Sequence, residues 1–264
     1  MPKKKPTLAV WKFTSCDGCQ LSLLNLEEEL VELADCLDIA YFPEASRRLL
    51  PGPYDLSFVE GSVSVPEHVE QIRRVRRLSR VLIPFGTCAT SGGIQALRNF
   101  TDVRDYARLV YERPELLPVL AESTPISQHV PVELELQGCP PNKAQVLAAV
   151  AAFLHGGPPP RTPASVCLEC KRAGHICVLV SRSLPCLGPV TQAGCGALCP
   201  GWHRPCYGCF GPKETPKTAS LARWFTERLG AREAELVRAF RLFYANAPAF
   251  RLESQTHEEP TRQG

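Results

Sequence analysis

Thirteen cysteines dominate the chemistry open to this chain of 264 residues. Cys16 and Cys19 form a C-x2-C pair, while Cys88 and Cys139 stand singly in the glycine-containing loops Gly86-Thr87-Cys88 and Gly138-Cys139-Pro140. Eight more run from Cys167 through Cys170, Cys177, Cys186, Cys195, Cys199 and Cys206 to Cys209. The first pair alone is equally compatible with a thioredoxin-like redox couple, half a zinc site or half an iron-sulfur site. With Cys88 and Cys139 it makes four thiolates from separate loops, which fits a cubane cluster, because small residues permit close backbone approach and let amide donors face cluster sulfides. A structural zinc site is the alternative, although such sites more often use two short Cys pairs. The later eight make two quartets with none left over. Two zinc knuckles are possible there, but Cys199-Pro200 and the turn Cys186-Leu-Gly-Pro are features met where loops wrap clusters.

These residues need a frame. Short apolar runs at 7–13, 37–42, 54–60, 80–85 and 131–137 read as strands, and helical patterns lie between them. Leu23, Leu26, Leu30 and Leu33 form one stripe. Val69, Ile72, Val75 and Leu78 form another after Pro66, a suitable first helical residue, and Val146, Leu147, Val150 and Leu154 a third after Asn142, a plausible N-cap. Alternation of this kind predicts an α/β domain with a parallel sheet, whose functional loops lie beyond the carboxyl ends of the strands. Cys16, Cys19, Glu60, Cys88 and Cys139 are thereby predicted on one rim. Cys36 precedes the second strand and is expected to be a small buried hydrophobe.

The Gly- and Pro-rich segment 156–163 reads as a linker between a domain at 1–155 and a second at 164–264. The second begins with a Cys-, Gly- and Pro-rich stretch that has little ordinary core, so a metal scaffold could supply its stability. From Pro216 onward the chain offers amphipathic helices, carrying Leu221, Trp224, Phe225 and Leu229, then Leu236, Phe240 and Phe243, and the residues from Ser254 onward look frayed.

Composition narrows the function. The net charge is only +3, which disfavours a nucleic-acid partner. The basic stretch of Arg73, Arg74, Arg76, Arg77 and Arg80 shares its helix with the Ile72, Val75 and Leu78 stripe and reads as a solvated face. No apolar run approaches the ~20 residues of a membrane span, no signal-peptide core follows Met1, and an odd cysteine count argues against a disulfide framework, so a cytoplasmic location is expected. No Ser-His-Asp set, phosphate-cradling loop or paired general acid and base emerges, so no catalytic residue is expected in this chain.

Taken in order, Thr14-Ser-Cys16-Asp-Gly-Cys19, Val59-Glu60-Gly61, Gly86-Thr87-Cys88-Ala89, Gly138-Cys139-Pro140-Pro141, Cys186-Leu-Gly-Pro-Val-Thr and Cys206-Tyr-Gly-Cys209 resemble the small, electron-transfer subunit of nickel-iron hydrogenases. The similarity is greatest to the delta subunit of cytoplasmic sulfhydrogenase-type, NAD(P)-linked bidirectional enzymes. It implies a flavodoxin-like amino-terminal domain holding a proximal cluster on Cys16, Cys19, Cys88 and Cys139, and a loop-rich carboxyl-terminal domain built around two iron-sulfur clusters. The medial one would sit on Cys195, Cys199, Cys206 and Cys209, the distal one on Cys167, Cys170, Cys177 and Cys186. Cys199 stands where members with a three-iron cluster have Pro, so three 4Fe-4S clusters are expected. His175 is a reserve for Cys177, although an exposed loop residue is its plainer reading. Glu60 and Thr87 could order the proximal ligands. Glu60 is expected at a strand terminus in a structural role, with proton transfer the lesser alternative. The resemblance further implies three partners: a nickel-iron large subunit, an iron-sulfur adaptor and a flavin-containing NAD(P)-reactive subunit. Nickel-iron and flavin groups are expected only in those partners.

Two rivals stand beside this. The related cluster-bearing subunit of respiratory complex I, a quinone-linked machine, shares the Gly-x-Cys and Gly-Cys-Pro features but has two adjacent cysteines in place of Cys16-x2-Cys19 and lacks the eight-Cys extension. A zinc-stabilised binding protein is the other.

Overall fold

The computed structural model describes residues 5–157 and 163–258. The chain divides into two compact units, Met1–Pro160 and Arg161–Gly264. Most of the segment 156–163, namely 158–162, lies outside the described residues.

The first unit is a parallel sheet of β1 (Thr7–Lys12), β2 (Asp38–Tyr41), β3 (Tyr54–Glu60) and β4 (Ser79–Pro84) in the order β2-β1-β3-β4. This is the flavodoxin-like winding, in which the chain reverses direction between β1 and β3 and opens a crevice at their carboxyl ends. Alternation along the strands buries both faces. Leu8, Val10, Phe58 and Ile83 pack on one side with Leu23, Leu26, Val146 and Val150, while Ala9, Trp11, Val59 and Leu82 pack on the other with Ile72, Val75 and Ile126.

Helices α1 (Gly18–Leu24), α2 (Glu28–Cys36), α3 (Pro66–Leu78), α4 (Thr87–Ser91), α5 (Val103–Val110) and α6 (Lys143–His155) cover the sheet and its loops. Pro66 opens α3 and Ile72 and Val75 bury its stripe. Asn142 caps α6 through a reciprocal bond pair with Gln145, and Gly156 ends it in the left-handed conformation. The single stripe expected from Leu23 to Leu33 is instead two helices, broken at Glu27, whose φ is 53°. Cys36 is also corrected: it is exposed at the end of α2, and Leu37 takes the buried place.

The expected fifth strand at 131–137 contracts to an isolated bridge between Phe85 and Leu136. It does run beside β4, with the Leu136 N–H donating to Pro84 O at 2.9 Å and the Gly86 N–H donating to Leu136 O at 2.8 Å. A full ladder cannot form, because Pro84 has no N–H and the Leu82 N–H is taken at 2.6 Å by the Glu133 carboxylate. Arg76 pins the same segment, donating to Pro131 O and to Glu133. Part of the basic face of α3 therefore fastens structure.

In the second unit, α7 (Val166–Arg172), α8 (Val178–Ser181) and α9 (Leu198–Gly201) are one- or two-turn helices among loops, followed by α10 (Thr218–Leu229), α11 (Glu233–Arg241) and α12 (Pro248–Thr256). Phe225, Phe240, Tyr244 and Phe250 make a core with Leu187 and Val190 of the loop region. The loops have a smaller core of their own, in which Cys170, Cys186 and Cys206 are members beside Val166, Val178 and Ala197. Ser254, expected in a frayed tail, is fully buried on α12; residues 259–264 lie outside the described residues. Among the described residues no helix is long and apolar enough to cross a membrane.

His257 fastens the last two helices. Its Nδ1 meets Glu233 and its Nε2 lies 2.9 Å from Glu253 Oε1. Burial opposes its charge, but the two carboxylates outweigh burial and hold its pKa above the ordinary histidine value. A raised folded pKa gives stability that is complete below the unfolded value of about 6.5 and is lost as pH rises through the folded one. Urea unfolding monitored at α11 and α12 should show lower stability at pH 9 than at pH 6, and His257→Gln should flatten that dependence.

Candidate iron-sulfur sites

Three strand ends and one following loop build the first site. β1 runs into Thr14-Ser15-Cys16 and then α1, whose first turn carries Cys19. β3 ends at Glu60, a carboxylate only 1% exposed, whose Oε1 accepts the Cys19 N–H at 2.9 Å. The chain leaves β4 through Gly86 into α4, which carries Thr87 and Cys88. Thr87 donates through both its N–H (2.9 Å) and its hydroxyl (3.0 Å) to Gly138 O, which ties the Cys88 loop to the Cys139 loop. The four predicted cysteines therefore share one rim, where Cys88 and Cys139 bear on the Cys19 thiol and Cys16 bears on those of Cys88 and Cys139.

Close approach requires glycine here. A Cβ on Gly86, whose φ is +90°, would lie 2.2 Å from Cys19 Sγ, and one on Gly93, at φ +68°, would lie 2.5 Å from Cys88 Sγ. Burial, then the Glu60 charge, pushes the Cys19 thiol far above its ordinary value. Burial likewise pushes Cys88 up to about 11 and raises Cys139. Burial also holds the Glu60 carboxyl above the usual carboxylate range. Such thiols stay neutral until a cation compensates their ionisation, so metal binding there expels protons. Sequence reasoning missed Gln95. Its Oε1 lies 3.5 Å from Cys88 Sγ and its amide donates to Thr14 O at 2.9 Å, joining two ligand loops. A lone Gln near the start of the 3-10 helix Ile94–Phe100 gives no pattern to read.

In the second unit, Cys167, Cys170, Cys177 and Cys186 line one small cavity of about 20 Å³, together with Val166, Val178 and Leu179. Cys177 thus reaches the site, whereas the His175 ring packs against Gly201 and does not line the cavity. The remaining four are placed as two pairs: Cys195 feels the charge of Cys199, and Cys206 that of Cys209. Burial pushes Cys206 up to about 12 and raises Cys186. The Cys206 N–H donates to Cys186 Sγ at 3.1 Å, so a ligand of one predicted set is hydrogen-bonded to a ligand of the other.

The donor set can be tested for fit. None of the thirteen cysteines is joined in a disulfide. Among the described residues, no three His, Cys, Asp or Glu side chains converge as one metal ion requires. The donor type fits an iron-sulfur cluster, since thiolates are its usual ligands and Gly86 and Gly93 leave open the space beside Cys19 and Cys88 that a Cβ would fill.

Comparison with known proteins shows the family of the chain. Residues 16–153 match the family described as NADH ubiquinone oxidoreductase, 20 Kd subunit. Sulfhydrogenase 2 subunit delta of Pyrococcus furiosus is 34% identical over 236 residues, covering 89% of this chain and 98% of its own. The chain belongs to the hydrogenase small-subunit family. A subunit of the vhu F420-non-reducing hydrogenase from Methanocaldococcus jannaschii is 33% identical, covering 78% of this chain and 81% of its own. A chain in the crystal structure of an NAD+-reducing [NiFe]-hydrogenase superposes with a TM-score of 0.56 at 29% identity, covering 60% of this chain and 96% of that one. Much of this hydrogenase subunit therefore has no counterpart in that shorter chain, whereas the sulfhydrogenase relative spans nearly all of it. The family model ends at residue 153, before the eight later cysteines.

Proposed function

We propose that this chain is the electron-transfer small subunit of a cytoplasmic nickel-iron hydrogenase, holding a proximal 4Fe-4S cluster on Cys16, Cys19, Cys88 and Cys139, a medial one on Cys195, Cys199, Cys206 and Cys209, and a distal one on Cys167, Cys170, Cys177 and Cys186. When bound, the clusters supply one-electron steps between a hydrogen-activating nickel-iron centre in the large subunit and, through an iron-sulfur adaptor, an NAD(P)-reactive flavoprotein. The observation that carries the reading is the presentation of four thiols on one sheet rim in a chain that aligns with a sulfhydrogenase delta subunit over 89% of its length.

The protein's own residues bind, orient and insulate. Glu60 fixes the Cys19 turn, Thr87 fastens the Cys88 and Cys139 loops, and Gln95 holds Cys88 against the end of β1. Cys16 is exposed, and the neighbouring Leu21 and Ile94 are 53% and 60% exposed. Apolar surface beside a redox centre suits a covering partner, here the large subunit. The NAD(P) assignment draws on the named activity of the structural neighbour. Thirteen cysteines without a disulfide suit a reducing compartment.

Anaerobic analysis should find about twelve iron and twelve acid-labile sulfide per chain, four of each per cubane. Zinc without sulfide would overturn the proposal in favour of a zinc-stabilised binding protein. About eight iron would remove one quartet.

A further inference from the structure

Glu169 sits on α7 between two members of the distal set, Cys167 and Cys170, yet its side chain crosses to the other loop. Its Oε1 accepts the Gly194 N–H at 2.9 Å, and its Oε2 accepts the Cys195 thiol hydrogen at an Sγ–Oε2 distance of 3.9 Å. Its surroundings make that charge conspicuous. Residues 164–213 contain no other Asp or Glu, against the cations Lys171, Arg172, Arg182, Arg204 and Lys213. Glu169 is half-buried, so water and salt screen its carboxylate less than they would at an exposed site.

A fixed negative charge beside a ligand sulfur opposes the arrival of an electron, and cluster potentials follow local charge and hydrogen bonding. We propose that Glu169 is a positioning residue that lowers the reduction potential of the cluster ligated by Cys195 relative to that of the Cys167, Cys170, Cys177 and Cys186 cluster, while its bond to Gly194 fixes the Cys195 loop. This rests on the two-cluster reading of the second unit. The residue joins both sites: its backbone lies in the helix of one ligand set and its charge beside the other.

The discriminating variant is Glu169→Gln, which keeps an oxygen acceptor for the Gly194 N–H and removes the charge. Redox titration of the anaerobically purified complex, followed by electron paramagnetic resonance, should be preceded by iron and sulfide analysis of the unaltered complex. Iron and sulfide missing from the second unit at that stage would refute the two-cluster reading itself, before any variant is compared. The medial signal is the one that Cys195→Ala removes. The expected result is full iron content in Glu169→Gln, with the medial midpoint shifted upward by more than the distal one. Full iron with unchanged midpoints would overturn the proposal. So would loss of medial iron from Glu169→Gln with retention in Glu169→Asp, since the charge would then serve assembly instead of potential.

Discussion

Cys88→Ala is expected to remove the proposed proximal cluster and lower iron by about four per chain, because Cys88 is the single thiol on its loop and no other cysteine of that loop can replace it. Gln95 lies beside its sulfur, but the amide of Gln95 is already committed to Thr14 O. Hydrogen-driven reduction of NAD(P) by the complex should fall to background. Reduction of artificial dyes by NAD(P)H at the proposed flavin partner should persist, since that reaction would use no part of this rim. The asymmetry separates an electron relay from a metal that merely holds the fold, whose loss would impair both activities through misassembly. Unaltered hydrogen-to-NAD(P) flow in an intact complex shown to lack the proximal cluster would sink the mechanism.

Gly86→Ala should do nearly as much damage while removing no ligand. Its Cβ would stand 2.2 Å from Cys19 Sγ, well inside contact distance, and the backbone φ of +90° is one that alanine resists. Cys19 has little freedom to yield, since it is buried on the first turn of α1 and its N–H is held by Glu60. The variant is expected to fold, because the sheet core is untouched, but to lose about four iron per chain as the proximal site fails to close. Iron analysis and circular dichroism check the two halves of this expectation. Full iron content in Gly86→Ala would show that the Cys19 sulfur sits elsewhere when the site is loaded.

The cysteine spacing and the strand-helix alternation were sufficient to predict a parallel α/β domain with Cys16, Cys19, Cys88 and Cys139 on one rim. The physical reason is that a winding rule puts the loop after each parallel strand on the same edge, so order along the chain becomes proximity in space. Local signals were equally legible at Pro66, Asn142 and Gly156, because helix starts and stops are fixed by a residue's own φ preference and hydrogen-bonding groups. Tertiary structure decided the rest. That 131–137 is not a full strand depends on Pro84 and on Glu133 taking a backbone donor 51 residues away, a competition invisible to local pattern. That Leu23 and Leu33 belong to separate helices depends on a positive φ at Glu27, where no glycine warns of it. Cys36 is exposed because Leu37 fills the buried place. Gln95 and Glu169 gain their positions only when distant loops meet, Gln95 with Thr14 and Glu169 with Gly194. Thiol ligands announce themselves by type and spacing, whereas the groups that hold and charge their surroundings are ordinary polar residues made specific by the fold alone.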